Sequence, residues 1–327
     1  MILAGVDEAG YGPVLGPLVV GCCAFRIDDA GGGGGEEMPC LWTRLHNAVS
    51  RRRTGGAGGG KLHINDSKAV YTPSGGLREL ERGVLALSGC AGAPCGDLDA
   101  LITRTSPDAA AHLAEHPWYR RCDDEKFPIA QTCAAAGISA NALGVEMRRT
   151  GVACEHLAAR IVCERQLNAM FAATRNKASA LFSVTAIHID QLLRKFGGQQ
   201  LTIVCDRQGG RQHYGSLLRL MFDEWALEVI EQTPPRSHYV LRRGPDAVTI
   251  LFMEKAEAQC LPVAAASMVG KYLREALMGR FNAFWKTHVP AAAPTAGYYT
   301  DGWRFLRDIE SKRRELGIAD RELIRSR

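Results

Sequence analysis

Apolar and polar positions along the chain sort into short strands interleaved with amphipathic helices. Residues 1–6 and 15–25 are apolar runs joined by Asp7-Glu8-Ala9-Gly10-Tyr11-Gly12-Pro13, which predicts an antiparallel hairpin of a buried sheet with an acidic, glycine-punctuated turn. Residues 76–87 predict a helix. Residues 91–138 mix Pro, Asp and Trp and predict a strand or two. The stretch 140–196 predicts helix throughout, on spacings such as Leu157, Ile161, Leu167 and Phe171, and stops at Gly197-Gly198. Residues 201–205 form an apolar strand ending at Asp206, and 225–231, 238–242 and 247–253 predict three more strands. An apolar-faced helix comes next over 263–278, and the tail from Thr300 reads as basic and helical. Strands interleaved with helices predict an α/β fold with a mixed sheet.

Composition narrows the partners more than the fold. The net charge of +5 is compatible with a polyanionic partner without requiring one. The eleven cysteines fall in strand-like and helix-like segments without a Cys-x-x-Cys spacing, and Cys90 and Cys95 stand too far apart for a usual zinc knuckle. Buried free thiols in a reducing cytoplasm are expected. The short run 1–6 leads straight into acids, unlike a signal peptide, and no run approaches 18 apolar residues, so no membrane association is expected. Two low-complexity loops, 30–35 and 54–60, flank Arg51-Arg52-Arg53. Residues 55–61 look superficially like a phosphate-binding P-loop. However, Leu62 stands where Ser or Thr is needed and basic residues rather than a strand come before it, so a surface loop is the better reading.

The candidate chemistry lies at strand ends. Asp7 and Glu8 come directly after an apolar run, where half-buried carboxylates cost several kcal/mol unless paired or bound to a cation. Hard divalent cations take oxygen ligands, and the neighbouring glycines allow close backbone approach to a ligand. Taken alone, the segment also fits a strand end leading into a turn with solvated acids. Asp206 repeats the arrangement before the turn Arg207-Gln208-Gly209-Gly210-Arg211, whose arginines either bind phosphate or neutralise local acids. Glu275 lies on the 263–278 helix, where Lys271 and Arg274 could equally pair it as a surface acid.

Four segments in order carry a resemblance. Residues 7–17, Asn65-Asp66-Ser67-Lys68, the run 264–275 (AAASMVGKYLRE) and Gly297-Tyr298-Tyr299-Thr300 resemble the "DEAGRGP…GP", "NDSK", "AAASIIAKVTRD" and "GYGT" motifs of the prokaryotic type 2 ribonucleases H, HII and HIII. They cover about a third of the chain. The resemblance implies a ribonuclease H-like fold: a mixed central sheet flanked by helices, here with a helical insertion and a C-terminal helical extension. It implies a catalytic and metal-binding set of Asp7, Glu8, Asp206 and Glu275 around two divalent ions, Mg²⁺ or Mn²⁺. One ion would activate a water while the other stabilised the leaving oxygen. It also implies substrate contacts from Gly10, Tyr11, Gly12, Lys68 and Tyr298. The expected activity is endonucleolytic hydrolysis of the RNA strand of RNA–DNA hybrids, leaving 3′-hydroxyl and 5′-phosphate ends. Nucleic acid is the expected partner, with no obligate protein partner evident.

The chain also departs from that pattern. Tyr11 replaces the arginine of the Gly-Arg-Gly turn, removing a charged fork while Gly10 and Gly12 remain. Glu275 replaces an aspartate. Glu257, in Lys255-Ala256-Glu257-Ala258, matches an acidic family position and is a secondary candidate. About 140 residues separate Asp66 from Asp206. The expected organisation is therefore 1–90 and 201–280 as two parts of one domain, 91–200 as a mostly helical insertion, and 281–327 as a basic helical extension. Structured DNA as substrate, or hybrid binding without cleavage, are the competing functions.

Overall fold

A computed structural model describes residues 1–28, 38–55, 60–72, 75–92 and 94–326. The low-complexity loop 30–35, and residues 56–59 of the P-loop-like segment, lie outside the described residues. The chain opens with strands β1 (Ile2–Ala9) and β2 (Leu18–Ile27). Next come helix α1 (Leu41–Arg44), two-residue strands β3 (Val49–Ser50) and β4 (Leu62–His63), and helices α2 (Ser67–Val70), α3 (Arg78–Cys90), α4 (Leu98–Thr105), α5 (Ala109–Ala114) and α6 (Cys133–Arg149). Then come β5 (Val152–Val162), α7 (Glu164–Thr174), α8 (Lys177–Phe196), β6 (Leu201–Asp206) and α9 (Gly215–Met221). Strands β7 (Ala226–Gln232), β8 (Arg236–Arg243) and β9 (Asp246–Met253) precede the helices α10 (Leu261–His288), α11 (Tyr299–Glu315) and α12 (Asp320–Leu323).

Seven strands form one mixed sheet in the order β5-β2-β1-β6-β9-β8-β7. β1, β6 and β9 run parallel at its centre, with antiparallel partners on both sides. This is the mixed sheet flanked by helices that the sequence implied. Alternation along β1 sends Leu3 to one face and Ile2, Ala4 and Val6 to the other. The first face packs under α10, with α3 and α6 beyond it. The second packs under α8 and α9. Among the described residues no helix is long and apolar enough to cross a membrane. All eleven cysteines are free, six of them buried.

Two readings of the middle of the chain are corrected. The segment 140–196 is not continuous helix: β5 interrupts it and lies along β2 for its full length. Leu157 and Ile161 are four residues apart, a spacing that shares a face in a strand as well as in a helix. Residues 91–138 hold helices and no strand among the described residues. Because β5 is a strand of the central sheet and α8 covers one face of it, 91–200 does not stand apart as an insertion. Likewise α10 runs unbroken to His288, across the expected boundary at 280.

The packing of α10 on β1 and β2 is unusually close. A Cβ on Gly5 would lie 2.1 Å from the Val263 backbone nitrogen, and one on Gly21 would lie 2.1 Å from the Ala266 carbonyl oxygen. Only hydrogen at these positions lets the helix backbone rest on the strands. Gly21→Ala is expected to lower unfolding free energy by about 3 kcal/mol in urea titrations. Gly279→Ala, on the same helix with open space around it, should instead be neutral or stabilising by up to about 1 kcal/mol.

Candidate active site

The acidic site grows out of strand register. In the parallel pair of β1 and β6, Val6 lies beside Cys205, so the next residues, Asp7 and Asp206, are neighbours at adjacent strand ends. Asp7 and Glu8 belong to β1 itself rather than to the turn, so period two points Asp7 toward α10 and Glu8 toward the opposite face. Asp7 Oδ1 accepts the Glu8 N–H at 2.8 Å. Its carboxyl is also hydrogen-bonded by Ser267 of α10, whose Oγ lies 3.0 Å from Ser67 Oγ. That serine pair ties the Asn65–Lys68 segment to the acids. Asp66 caps α2 by accepting the Lys68 N–H at 3.0 Å. The exposed Lys68 ammonium faces the cluster closely enough to favour ionised Glu8 and Asp206.

The fourth member of the cluster is Glu257, not Glu275. Lys255 adopts a left-handed conformation (φ 54°) that turns the chain after β9 into a short 3₁₀ turn, Ala256–Ala258. The turn brings the Ala256 N–H to Asp206 Oδ1 at 3.0 Å and the Glu257 carboxyl into hydrogen-bond contact with Asp206. Glu257 Oε2 is buried without a partner. Glu275 is instead held by Lys271 Nζ at 2.7 Å and Arg274 Nη1 at 3.0 Å. It lies eight residues beyond Ser267 on α10, about 12 Å along the helix axis. The signal for Glu257 was its family-like position, and residue types alone do not say where so short a turn points.

Burial and mutual repulsion dominate the electrostatics. Burial pushes the Asp7 carboxyl well above the usual range, and Glu8 and Asp206 push it the same way. Glu8 is raised to about 7 by burial and then by Asp206. Glu257 is raised to about 7 by the same two causes, and Asp206 is raised chiefly by burial. Without a cation Glu8 and Glu257 are partly protonated near neutrality. The donor set is entirely carboxylate oxygen, with one orphaned oxygen on Glu257, and that chemistry fits a hard divalent ion. Among the described residues no three ligating side chains are already set at metal-holding geometry.

The expected substrate-contact residues lie around the cluster. Gly10 has φ 82° and no room for a Cβ, which would meet Arg274 Nε at 2.4 Å, whereas Gly12 is open. Tyr11 is partly buried, near Glu8 and Arg211. Arg207 donates to the Pro234 carbonyl. Tyr298 is half exposed, with the Arg274 guanidinium 5.6 Å from its ring centre. Arg274 itself is fully buried and donates to the Ala296 carbonyl at 2.9 Å.

No family model matches the sequence, and no curated protein does. Solved structures are similar over nearly the whole chain. The PCNA–ribonuclease HII complex of Archaeoglobus fulgidus matches at 16% identity and a TM-score of 0.44, covering 100% of this chain and 95% of that one. Ribonuclease H2 of Pyrococcus horikoshii OT3 matches at 16% identity and a TM-score of 0.45, covering 99% and 92%. The Bst ribonuclease HIII in complex with Mn²⁺ matches at 13% identity and a TM-score of 0.41, covering 99% and 66%. These likenesses are distant, and the functional reading rests on the residues at the site.

A carboxyl whose pKa is raised by folding removes stability as pH climbs from its unfolded value through its folded one. His156 and His188, lowered to about 4 and about 3 by burial, act in the opposite sense below pH 6.5. Comparison with Asp7→Asn isolates the acids. In EDTA the variant should melt close to the wild type near pH 4 and progressively above it toward pH 8. A constant difference in Tm across that range would contradict a repelling cluster.

Proposed function

We propose that the protein is a metal-dependent endonuclease that hydrolyses the RNA strand of RNA–DNA hybrids, leaving 3′-hydroxyl and 5′-phosphate ends. The observation that supports this best is the convergence of Asp7, Glu8, Asp206 and Glu257 at the ends of parallel strands β1 and β6 and the turn after β9. Such strand ends are where open α/β sheets place their ligands. These four carboxylates would hold the divalent ions, Mg²⁺ or Mn²⁺. When bound, those ions would neutralise the acids and supply the charge that activates water and stabilises the leaving oxygen in phosphodiester hydrolysis.

The protein's own groups do the remaining work. Ser267 holds the Asp7 carboxyl in place through its hydroxyl. The Ala256 N–H fixes the Asp206 carboxylate. Lys68, exposed beside the cluster, offers an ammonium to a backbone phosphate. The Gly10–Gly12 backbone lies within reach of the same strand because Gly10 and Gly12 carry no side chain. Tyr298 presents half its ring to solvent over a buried guanidinium, a surface suited to packing against a sugar.

The experiment is cleavage of a labelled RNA–DNA hybrid in Mg²⁺ or Mn²⁺, beside DNA duplex and branched DNA. Asp7→Asn and Glu257→Gln are expected to lower kcat by about a thousandfold or more while the protein stays folded. Glu275→Gln should change it by less than about tenfold. Full activity in Asp7→Asn would overturn the mechanism. Cleavage confined to DNA would move the substrate, and hybrid binding without cleavage in either metal would leave a binding module.

A further inference from the structure

The segment 318–326 passes beneath the opening glycine loop. Leu323 is fully buried. Asn168 of α7 pins the chain on either side of it, donating to the carbonyls of Arg321 at 3.0 Å and Ile324 at 2.7 Å and accepting the Ser326 N–H at 2.6 Å. Between these anchors Arg325 turns inward, only 4% exposed. Its backbone N–H donates to the Val14 carbonyl at 2.9 Å. Its Nη1 donates to the Gly10 carbonyl and, at 3.4 Å, to that of Pro13.

Packing alone does not explain an arginine here. Among the described residues no carboxylate forms an ion pair with it, and its Nε and Nη2 are buried without a partner. Arg274 of α10 packs against the same loop, its Nη1 paired with Glu275 and its Nε unpartnered behind Gly10. Two guanidiniums in one buried space repel, and the buried Glu164 carboxyl offsets the Arg325 charge only through space, without a direct ion pair. An apolar side chain of similar length would fill the volume without that cost. What the apolar residue would lack is the hydrogen bond to Gly10.

That bond sets the direction of a peptide. The Gly10–Tyr11 peptide is planar and trans, so a carbonyl held inward by Arg325 turns the Tyr11 N–H to the opposite side. Gly10 at φ 82° accommodates this orientation. We propose that Arg325 is a positioning residue for the Gly10–Gly12 loop, fixing the outward direction of the Tyr11 N–H so that the loop's backbone can read the sugar of a bound strand. In the absence of an arginine at position 11, selectivity for ribose then depends on a side chain 315 residues away. The sugar-reading part rests on the proposed hybrid nuclease activity; the loop-positioning part does not.

Two measurements on the full chain separate these parts. Hydrogen exchange of the free protein tests positioning: in Arg325→Met, amides of residues 10–16 should exchange about tenfold faster or more, with β6 and β9 unchanged. Arg325→Lys, which keeps one donor, should fall between. Asn168→Ala releases the segment without touching Arg325 and should act in the same direction, which keeps the test decisive if Arg325→Met fails to fold. Unchanged exchange over 10–16 in both variants would overturn the proposal, whatever the protein cleaves. Steady-state kinetics then test the reading of sugar. Arg325→Met should raise KM for hybrid by about fivefold or more with kcat within about threefold, and Arg325→Lys should restore part of the loss. A fall in kcat alone, with KM unchanged, would overturn sugar reading while leaving loop positioning to the exchange result.

Discussion

The acidic site depends on how closely α10 lies against β1 and β2. Gly5 and Gly21 remove the side chains that would hold the helix away, and Val263 and Ala266 rest on the strand backbones. That contact has three consequences. Ser267 reaches the Asp7 carboxyl and the Ser67 hydroxyl together. Arg274 arrives directly behind Gly10. Glu275, two turns beyond Ser267, is carried past the acids to pair with Lys271. A helix one methyl group further out would loosen the serine bridge and open space behind the loop. Packing energy and site geometry are therefore set by the same atoms.

The acids, in turn, oppose the fold that assembles them. Burial raises the proton affinity of all four carboxyls and repulsion adds to it at Asp7, Glu8 and Glu257, and the loop beside them rests on two buried arginines with unpartnered N–H groups. Both features cost stability in the free protein, and both are supported by a sheet whose central strands are largely apolar up to Val6 and Cys205. This is the usual compromise at a site built to meet charge: the ligand supplies what the free protein lacks.

Much of this arrangement was legible in the sequence, for identifiable reasons. Asp7 and Asp206 end uninterrupted apolar runs, and a run that stops at an acid and a glycine turn marks a strand end without any knowledge of its partners. The strands expected at 238–242 and 247–253 were legible because alternation is clearest there. β5 was not, because spacings of four fit both periods, and the choice between them was settled by pairing with β2. The exchange of Glu275 for Glu257 has a different origin. Glu275 sits in a long helix whose position is easily inferred, but its distance along the axis from Ser267 takes it away from the acids. Glu257 sits in a three-residue turn whose direction depends on a single left-handed residue, Lys255.

The presence of Tyr11 where the resembled motif has arginine takes on a different meaning once Arg274 and Arg325 are considered. Positive charge has not left the glycine loop; it lies beneath it, supplied by α10 and by the segment after α12. An arginine on the loop would contact a phosphate directly and could contribute to both affinity and chemistry. Buried guanidiniums cannot reach a ligand through the loop, so they act by holding carbonyls and orienting the peptides between them. In the proposed nuclease, hydrolysis and strand selection would then be carried by separate groups. The carboxylates at the strand ends would supply the first, and a backbone held from below the second. Tyr11, half-buried between Glu8 and Arg211, sits where the two meet.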